Sequence, residues 1–245
     1  MEVEEGPKMN SALLTVDDFP SKNTKAMVDY FVEKGIKVIF FCTGENVEKY
    51  YEEALYALKK GMLVGNHSYS HPAFSALSVE EGIREIEECE RVLDKLYQDA
   101  GVERKFRPFR FPYGDKGGGN IGGPKMAEFQ KYLKENGFHK VDDTKLTYPW
   151  WSEFHLDTDI DTFWSFDFAE YRIWQEEGFT KDSVWARMHD TNPQSGAVLF
   201  GEDNCHIILM HAHDETEAAL PEYYKLFIDH LLEHGMVFDE PGFLI

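Results

Sequence analysis

An aspartate pair, two spaced histidines, an arginine, an aromatic–acidic stretch and a lone histidine together supply what a metal-dependent hydrolase needs. They are Asp17-Asp18, His67 with His71, Arg110, residues 164–171 and His211. Asp18, His67 and His71 can hold one divalent ion through a carboxylate oxygen and two imidazole nitrogens, leaving coordination positions for water and substrate. A catalytic metal requires such open positions and a structural metal does not. Asp17 and His211 then remain as an acid/base pair. The set carries this reading, because each member alone admits a plainer one.

Adjacent carboxylates at a strand end repel unless something positive neutralises them, and a metal on one with an arginine on the other would do so. Asp17-Asp18 is equally a turn ahead of Phe19-Pro20. His67 and His71 stand four residues apart, a spacing that one helical turn brings to one side, although Pro72 disfavours α geometry at His71. They are otherwise surface or capping histidines in a Ser-rich loop. Arg110 can make a fork-shaped contact with a carboxylate, for which Asp17 is the candidate, and the following Phe111-Pro112-Tyr113-Gly114 turn can aim a backbone N–H outward as an oxyanion donor. The alternative is an ordinary surface loop, continuing through Gly117–Gly119 without the Gly-Lys-Ser/Thr of a phosphate loop. Residues 163–171 set aromatic faces, suited to sugar rings, beside Asp167 and Glu170, or else form an aromatic core strand. His211 is a catalyst or a satisfied rim residue.

The elements that must position these groups alternate short apolar runs with longer amphipathic ones. Strands are expected over 12–16, 36–41, 62–65, 106–111, 138–141, 162–166, 206–210 and 236–238. Helices are expected near 24–34, 47–59, 78–96, 125–136, 181–188 and 217–233. Ser78 and Glu81 form a capping-box pattern, and Gly137 is expected to stop the helix before it. Residues 190–203 read as a loop around Asn192-Pro193. Strand–helix alternation over the whole length predicts parallel βα units curled into a single-domain α/β barrel, with 1–11 as an N-terminal extension and 12–245 as the catalytic unit. The candidates fall repeatedly at C-terminal strand ends, which is the active-site face of such barrels.

Composition narrows the partners. Over 245 residues, 45 acidic side chains against 25 basic ones give a formal charge of −20, which repels phosphate and so opposes nucleic acid and anionic membranes. No apolar run approaches the ~20 residues that span a bilayer, so no membrane insertion is expected. Residues 1–10 lack the basic and apolar regions of a signal peptide, which leaves a cytoplasmic protein or one whose leader is missing. Cys42, Cys89 and Cys205 imply no disulfide framework, and Cys42 is expected to be a buried thiol.

Taken in order, these segments resemble the polysaccharide deacetylase family, the chitooligosaccharide-deacetylase-homology enzymes of carbohydrate esterase family four, over residues 12–238. Thr15-Val16-Asp17-Asp18-Phe19-Pro20 resembles the first motif, Asn66-His67-Ser68-Tyr69-Ser70-His71-Pro72 the second, and Arg110-Phe111-Pro112-Tyr113-Gly114 the third. Residues 164–171 resemble the fourth less closely, and Ile208-Leu209-Met210-His211 resembles the fifth. The departures are Phe19 for the usual glycine, expected to narrow the pocket or alter the turn, and Ala212 where an aspartate is frequent. Glu170 and Tyr171 stand for the usual aspartate and tryptophan, with Asp167 competing with Glu170.

The resemblance implies a distorted (β/α) barrel, seven-stranded or similar, and removal of N-acetyl groups from an amino-sugar polymer or oligosaccharide of the chitin or peptidoglycan type. It implies zinc foremost, with Co2+, Ni2+ or Mn2+ as alternatives, on Asp18, His67 and His71. Asp17 would be the base, steadied by Arg110, and the Tyr113 N–H would share the oxyanion. His211, oriented by Glu170 or Asp167, would protonate the amine, and Leu209, Trp164 and Tyr171 would form the acetyl pocket or sugar platform. A same-fold hydrolase of a cyclic amide or imide and a non-catalytic carbohydrate-binding homologue are the alternatives. The resemblance implies work at or outside the cell envelope, and oligomeric state stays open.

Overall fold

The first apolar run becomes the central strand of a parallel sheet. In the computed structural model, which describes residues 10–118, 123–201 and 204–244, β1 (Ser11–Phe19) lies between β2 (Ile39–Cys42) and β5 (Cys205–His211). The order runs β3-β2-β1-β5-β4, with β3 at Leu63–Asn66 and β4 at Phe166–Asp167, and β6 (Val237–Phe238) pairs with the start of β1. Every pairing between these strands is parallel, and β1, β2 and β5 read as near-continuous apolar runs because helices cover the sheet. Of the expected N-terminal extension, residues 1–9 lie outside the described residues and Ser11 already belongs to β1. Gly119 and Asp203 of the expected loops also lie outside.

Hydrogen bonds carry the sheet round into a ring. Asn66 N–H donates to Pro108 O at 2.9 Å and Arg110 N–H to Asn66 O at 3.0 Å. Thr162 N–H then reaches Phe109 O at 2.7 Å, and Ser165 N–H reaches Ile207 O on β5 at 2.9 Å. Gly65 permits the approach of this segment, since a Cβ there would stand 2.8 Å from Pro108 O. The chain is therefore a distorted (β/α) barrel. The strand expected over 106–111 contributes a single bridge, Asn66 with Phe109, and that over 138–141 another, Val141 with Phe243. Pro108 and Pro112 interrupt the first ladder by withholding N–H donors.

The helices follow their end signals. α4 (Val79–Ala100) opens on the Ser78/Glu81 capping box and stops at Gly101 in the left-handed region (φ 69), burying Ile86, Cys89, Leu93, Leu96 and Tyr97. Two expected helices are broken. Residues 47–59 divide into α2 (Gly44–Lys49) and α3 (Tyr51–Lys59) at Tyr50, whose ψ is 50. Residues 217–233 divide into α9 (Asp214–Ala219) and α10 (Tyr223–Glu233), because Pro221 and the left-handed Glu222 (φ 57) cannot continue one helix. The remaining helices are α1 (Thr24–Lys34), α5 (Met126–Glu135), α6 (Pro149–Glu153), α7 (Arg172–Gln175) and α8 (Lys181–Met188). Cys42 and Cys89 are buried free thiols. Among the described residues, no helix is long and apolar enough to cross a membrane.

Candidate metal and catalytic centre

The C-terminal end of β1 carries the two aspartates, and a bulge decides where they point. Between Val16 and Phe19, β1 spends one residue more than β2 spends between Phe40 and Cys42. Neighbouring side chains on a regular strand face opposite ways, but Asp18 adopts φ 59, and the bulge turns both carboxylates toward the histidines. Asp17 Oδ2 lies 3.4 Å from His67 Nε2, and Asp18 Oδ1 lies 3.2 Å from His71 Nε2 and 4.0 Å from His67 Nε2. Of the two effects expected of Phe19, narrowing the pocket or altering the turn, the first is not seen, since Phe19 does not line the cleft. It is buried in the core against Phe40, ring centroids 4.4 Å apart, so the glycine's position is filled on the inner side.

Residues 67–71 form an irregular bend, as Pro72 requires, with Ser68 (φ 67) and His71 (φ 62) both left-handed. Side chains hold this unfavourable path in place. Asn66, fully buried, donates to Ile86 O and Glu90 Oε1 at 2.9 Å each and accepts from Ser68 N–H at 2.8 Å. Glu85 on α4 accepts from the Tyr69 and Ser70 N–H groups, and Ser68 Oγ accepts from His71 N–H. Strained residues concentrate where surroundings over-determine them. Asp18, Ser68, His71, Tyr113 and Ala169 all flank this centre.

The tautomer of His67 is fixed from behind. Its Nδ1–H donates to Arg110 O at 2.7 Å, which leaves the Nε2 lone pair facing the aspartates. Burial pulls His71 down to about 4 against the upward pull of Asp18, so its ring is neutral at pH 7. Burial pushes Asp18 up, but the His213 hydrogen bond and the electrostatic pull of the surrounding His71, His213 and His67 imidazoles, which favours an ionised carboxylate, outweigh it and hold the carboxyl well below the usual range. The ligand atoms of Asp18, His67 and His71 lie within 4.8 Å of one another. Zinc bonds of ~2.0–2.2 Å place tetrahedral ligands about 3.3 Å apart, so this donor set fits a zinc-class cation with small adjustments.

Arg110 is buried and wholly committed, not the exposed arginine of a surface loop. Its Nη1 donates to Asp17 Oδ1 and Thr15 Oγ1 at 2.8 Å each, its Nε to Thr162 O at 3.0 Å, and its guanidinium lies 4.4 Å from the Phe41 ring centre. The β1–β5 register sets Asp17 directly beside His211, so the two acid/base candidates are neighbours across the sheet.

Behind His211 stands Glu170, fully buried, whose Oε1 lies 3.4 Å from His211 Nδ1 and also accepts the His211 backbone N–H. Asp167 is close, but its Oδ1 accepts from Ala169 N–H at 2.7 Å. Burial disfavours a charged His211, yet Glu170 and Asp167 outweigh it and hold the ring up at about 10. The imidazolium is therefore present below about pH 10 and lost above it, and its contribution to stability, complete below 6.5, fades between 6.5 and 10. In chelator-stripped Glu170→Gln protein, the His211 NMR titration is expected to fall from about 10 to the ordinary 6.5 or below. An unchanged midpoint would assign the support to Asp167.

Asp17, Asp18, His67, His71, Tyr113, Trp164, Asp167, Tyr171, Leu209 and His211 all line one cleft of about 1210 Å³, with Arg110 and Glu170 behind its wall. Tyr113, 61% exposed in a left-handed turn (φ 59), sets its ring against His71. Trp164 stacks on Phe163, centroids 4.2 Å apart, and Tyr171 meets His211 edge-on at 4.8 Å. Sequence reasoning missed His213, whose Nε2–H donates to Asp18 Oδ2 at 2.7 Å. The signal was its place two residues beyond His211. It also missed the aromatic rim of Trp150, Phe154 and Trp174, which comes from segments remote in sequence.

Residues 4–139 match the family model described as Polysaccharide deacetylase. The chain is 35% identical to a peptidoglycan-N-acetylglucosamine deacetylase of Bacillus cereus over 42% of its length and 36% of the relative's. It is also 35% identical to Chitin deacetylase 1 of Cryptococcus neoformans over 46% of its length and 23% of the relative's. The matches thus cover well under half of those proteins. The solved chitin deacetylase of Colletotrichum lindemuthianum superposes with a TM-score of 0.61 at 22% identity, over 94% of this chain and 86% of that one. At that identity the likeness concerns the fold alone.

Proposed function

The chain belongs to the polysaccharide deacetylase family, and from that premise we propose that it hydrolyses N-acetyl groups on an amino-sugar polymer or oligosaccharide of the peptidoglycan or chitin type, releasing acetate and a free amine. The observation that carries the proposal is the convergence, in one aromatic-walled cleft, of a two-nitrogen, one-oxygen donor set with an arginine-held carboxylate and a charged imidazole. That the relatives are deacetylases of peptidoglycan and of chitin supports the substrate class.

A divalent cation on Asp18, His67 and His71, zinc foremost, would supply a Lewis acid that polarises the acetamide carbonyl and acidifies water. Asp17 takes the proton of the attacking water. Arg110 occupies its Oδ1 and so fixes Oδ2 as the basic oxygen. The Tyr113 peptide, turned by its left-handed conformation, offers an N–H to the developing oxyanion. His211, charged through Glu170, gives its proton to the departing nitrogen, so one proton leaves water and one reaches the amine. His213 occupies Asp18 Oδ2, leaving Oδ1 toward the imidazoles. Trp150, Phe154, Trp164, Tyr171 and Trp174 present rings on which the apolar faces of sugars can lie, with Leu209 closing the acetyl end. Such polymers belong to cell walls, and the protein would act at or outside the envelope.

The test is acetate release from acetylated chitooligosaccharides and peptidoglycan fragments by zinc-loaded protein. Turnover of at least one is expected. Glycan binding with zinc bound and no acetate from any of them would leave a carbohydrate-binding homologue instead.

A further inference from the structure

Away from the cleft, the C-terminal ends of α8 and α10 converge on three imidazoles. His189 caps α8, His234 caps α10, and His230 lies one turn before His234 on the same face. His189 Nε2 and His230 Nε2 face each other at 2.8 Å. His234 Nδ1–H donates to His230 O at 2.8 Å, which leaves its Nε2 as the free donor nitrogen. One ligand atom from each ring can be chosen so that all three lie within 4.8 Å. The rings are held by neighbours: Trp185 stacks on His230 at 4.8 Å, and Phe200 lies 5.0 Å from His189 and 4.9 Å from His234. None of the three lines the catalytic cleft.

We propose that His189, His230 and His234 form a second binding site, for a zinc-class transition-metal cation, that clasps α8 to α10. Three imidazoles without a carboxylate suit zinc, copper or nickel and not magnesium or calcium. Two nitrogens on one zinc at ~2.0–2.1 Å would stand about 3.3 Å apart, so His189 and His230 need only part by a few tenths of an ångström. The placement favours a cation further. Two helix C-termini, each carrying partial negative charge, point at it, Glu233 lies beside His230, and the chain carries −20. His189 and His234 are exposed, so the ion can enter and a water can complete its coordination.

The experiment titrates zinc into chelator-stripped full-length protein against a competing chromophoric chelator. Wild type is expected to take two equivalents, His71→Gln to keep the one at the triad, and His230→Gln/His234→Gln to lose only that one. The double variant should weaken this equivalent by at least the ~10–100-fold that even outer-shell losses cost. Zinc should raise the melting temperature of His71→Gln protein and raise it less when His230 and His234 are also Gln. Circular dichroism in chelator checks that all variants are folded. No zinc on His71→Gln protein, or an equivalent unaffected by the double variant, would overturn the proposal. A single equivalent lost with His71 would do so while leaving the catalytic reading intact.

Discussion

Asp17→Asn protein should bind zinc as wild type does and release acetate about 10³-fold more slowly, within the range that general-base loss costs. Asparagine keeps the size of the side chain and can still accept from Arg110, but it cannot take a proton from water. The metal donors are a separate set, Asp18, His67 and His71, so binding should survive. The substitution leaves the buried Arg110 without its counter-charge, and breaking such a pair commonly costs about 3–5 kcal/mol. Arg110 keeps its bonds to Thr15, Thr162 and Phe163, which limits the damage. Thermal melting measured beside the acetate assay separates lost chemistry from lost fold. A folded, zinc-bound Asp17→Asn protein with wild-type turnover would remove Asp17 from the base role.

The other large effect concerns a ligand. His71→Ala should weaken zinc at this centre at least 100-fold, more than outer-shell losses do, and bring acetate release below detection at stoichiometric metal. Chelation of the wild-type protein should do the same and zinc should restore it. The cause is geometric: His71 Nε2 faces Asp18 Oδ1 at 3.2 Å, and the backbone that puts it there is left-handed at φ 62. Because burial keeps the ring neutral above about pH 4, its protonation should limit metal binding only in acid. Undiminished zinc affinity at the cleft, read by equilibrium titration, would contradict the assignment.

Much of the site was legible because its signals are local. An apolar run ending in two aspartates, or in a histidine, marks a strand end, and parallel strands bring those ends to one rim. The Ser78/Glu81 box fixed the start of α4 for the same local reason. Facts that depend on three-dimensional packing were not legible. The bulge at Asp17-Asp18 shows only in the β1–β2 register, and the His213 bond to Asp18 joins residues 195 positions apart. Spacing left open whether Phe19 narrows the pocket or alters the turn; Phe40 on the neighbouring strand draws its ring into the core. The competition between Glu170 and Asp167 could not be decided from spacing. The left-handed Ala169 between them helps decide which acid stands behind His211. Residues 106–111 carry strand composition, but the prolines at 108 and 112 leave one bridge where a ladder was expected.

Anomalous scattering above the zinc absorption edge, from crystals of zinc-loaded protein, tests the shared donor set most directly. The expected result is a peak about 2.0–2.2 Å from a carboxylate oxygen of Asp18 and from Nε2 of both His67 and His71, with Asp17 beside it and uncoordinated. Zinc bound at full occupancy only elsewhere, with Asp18 turned from the two imidazoles, would contradict it.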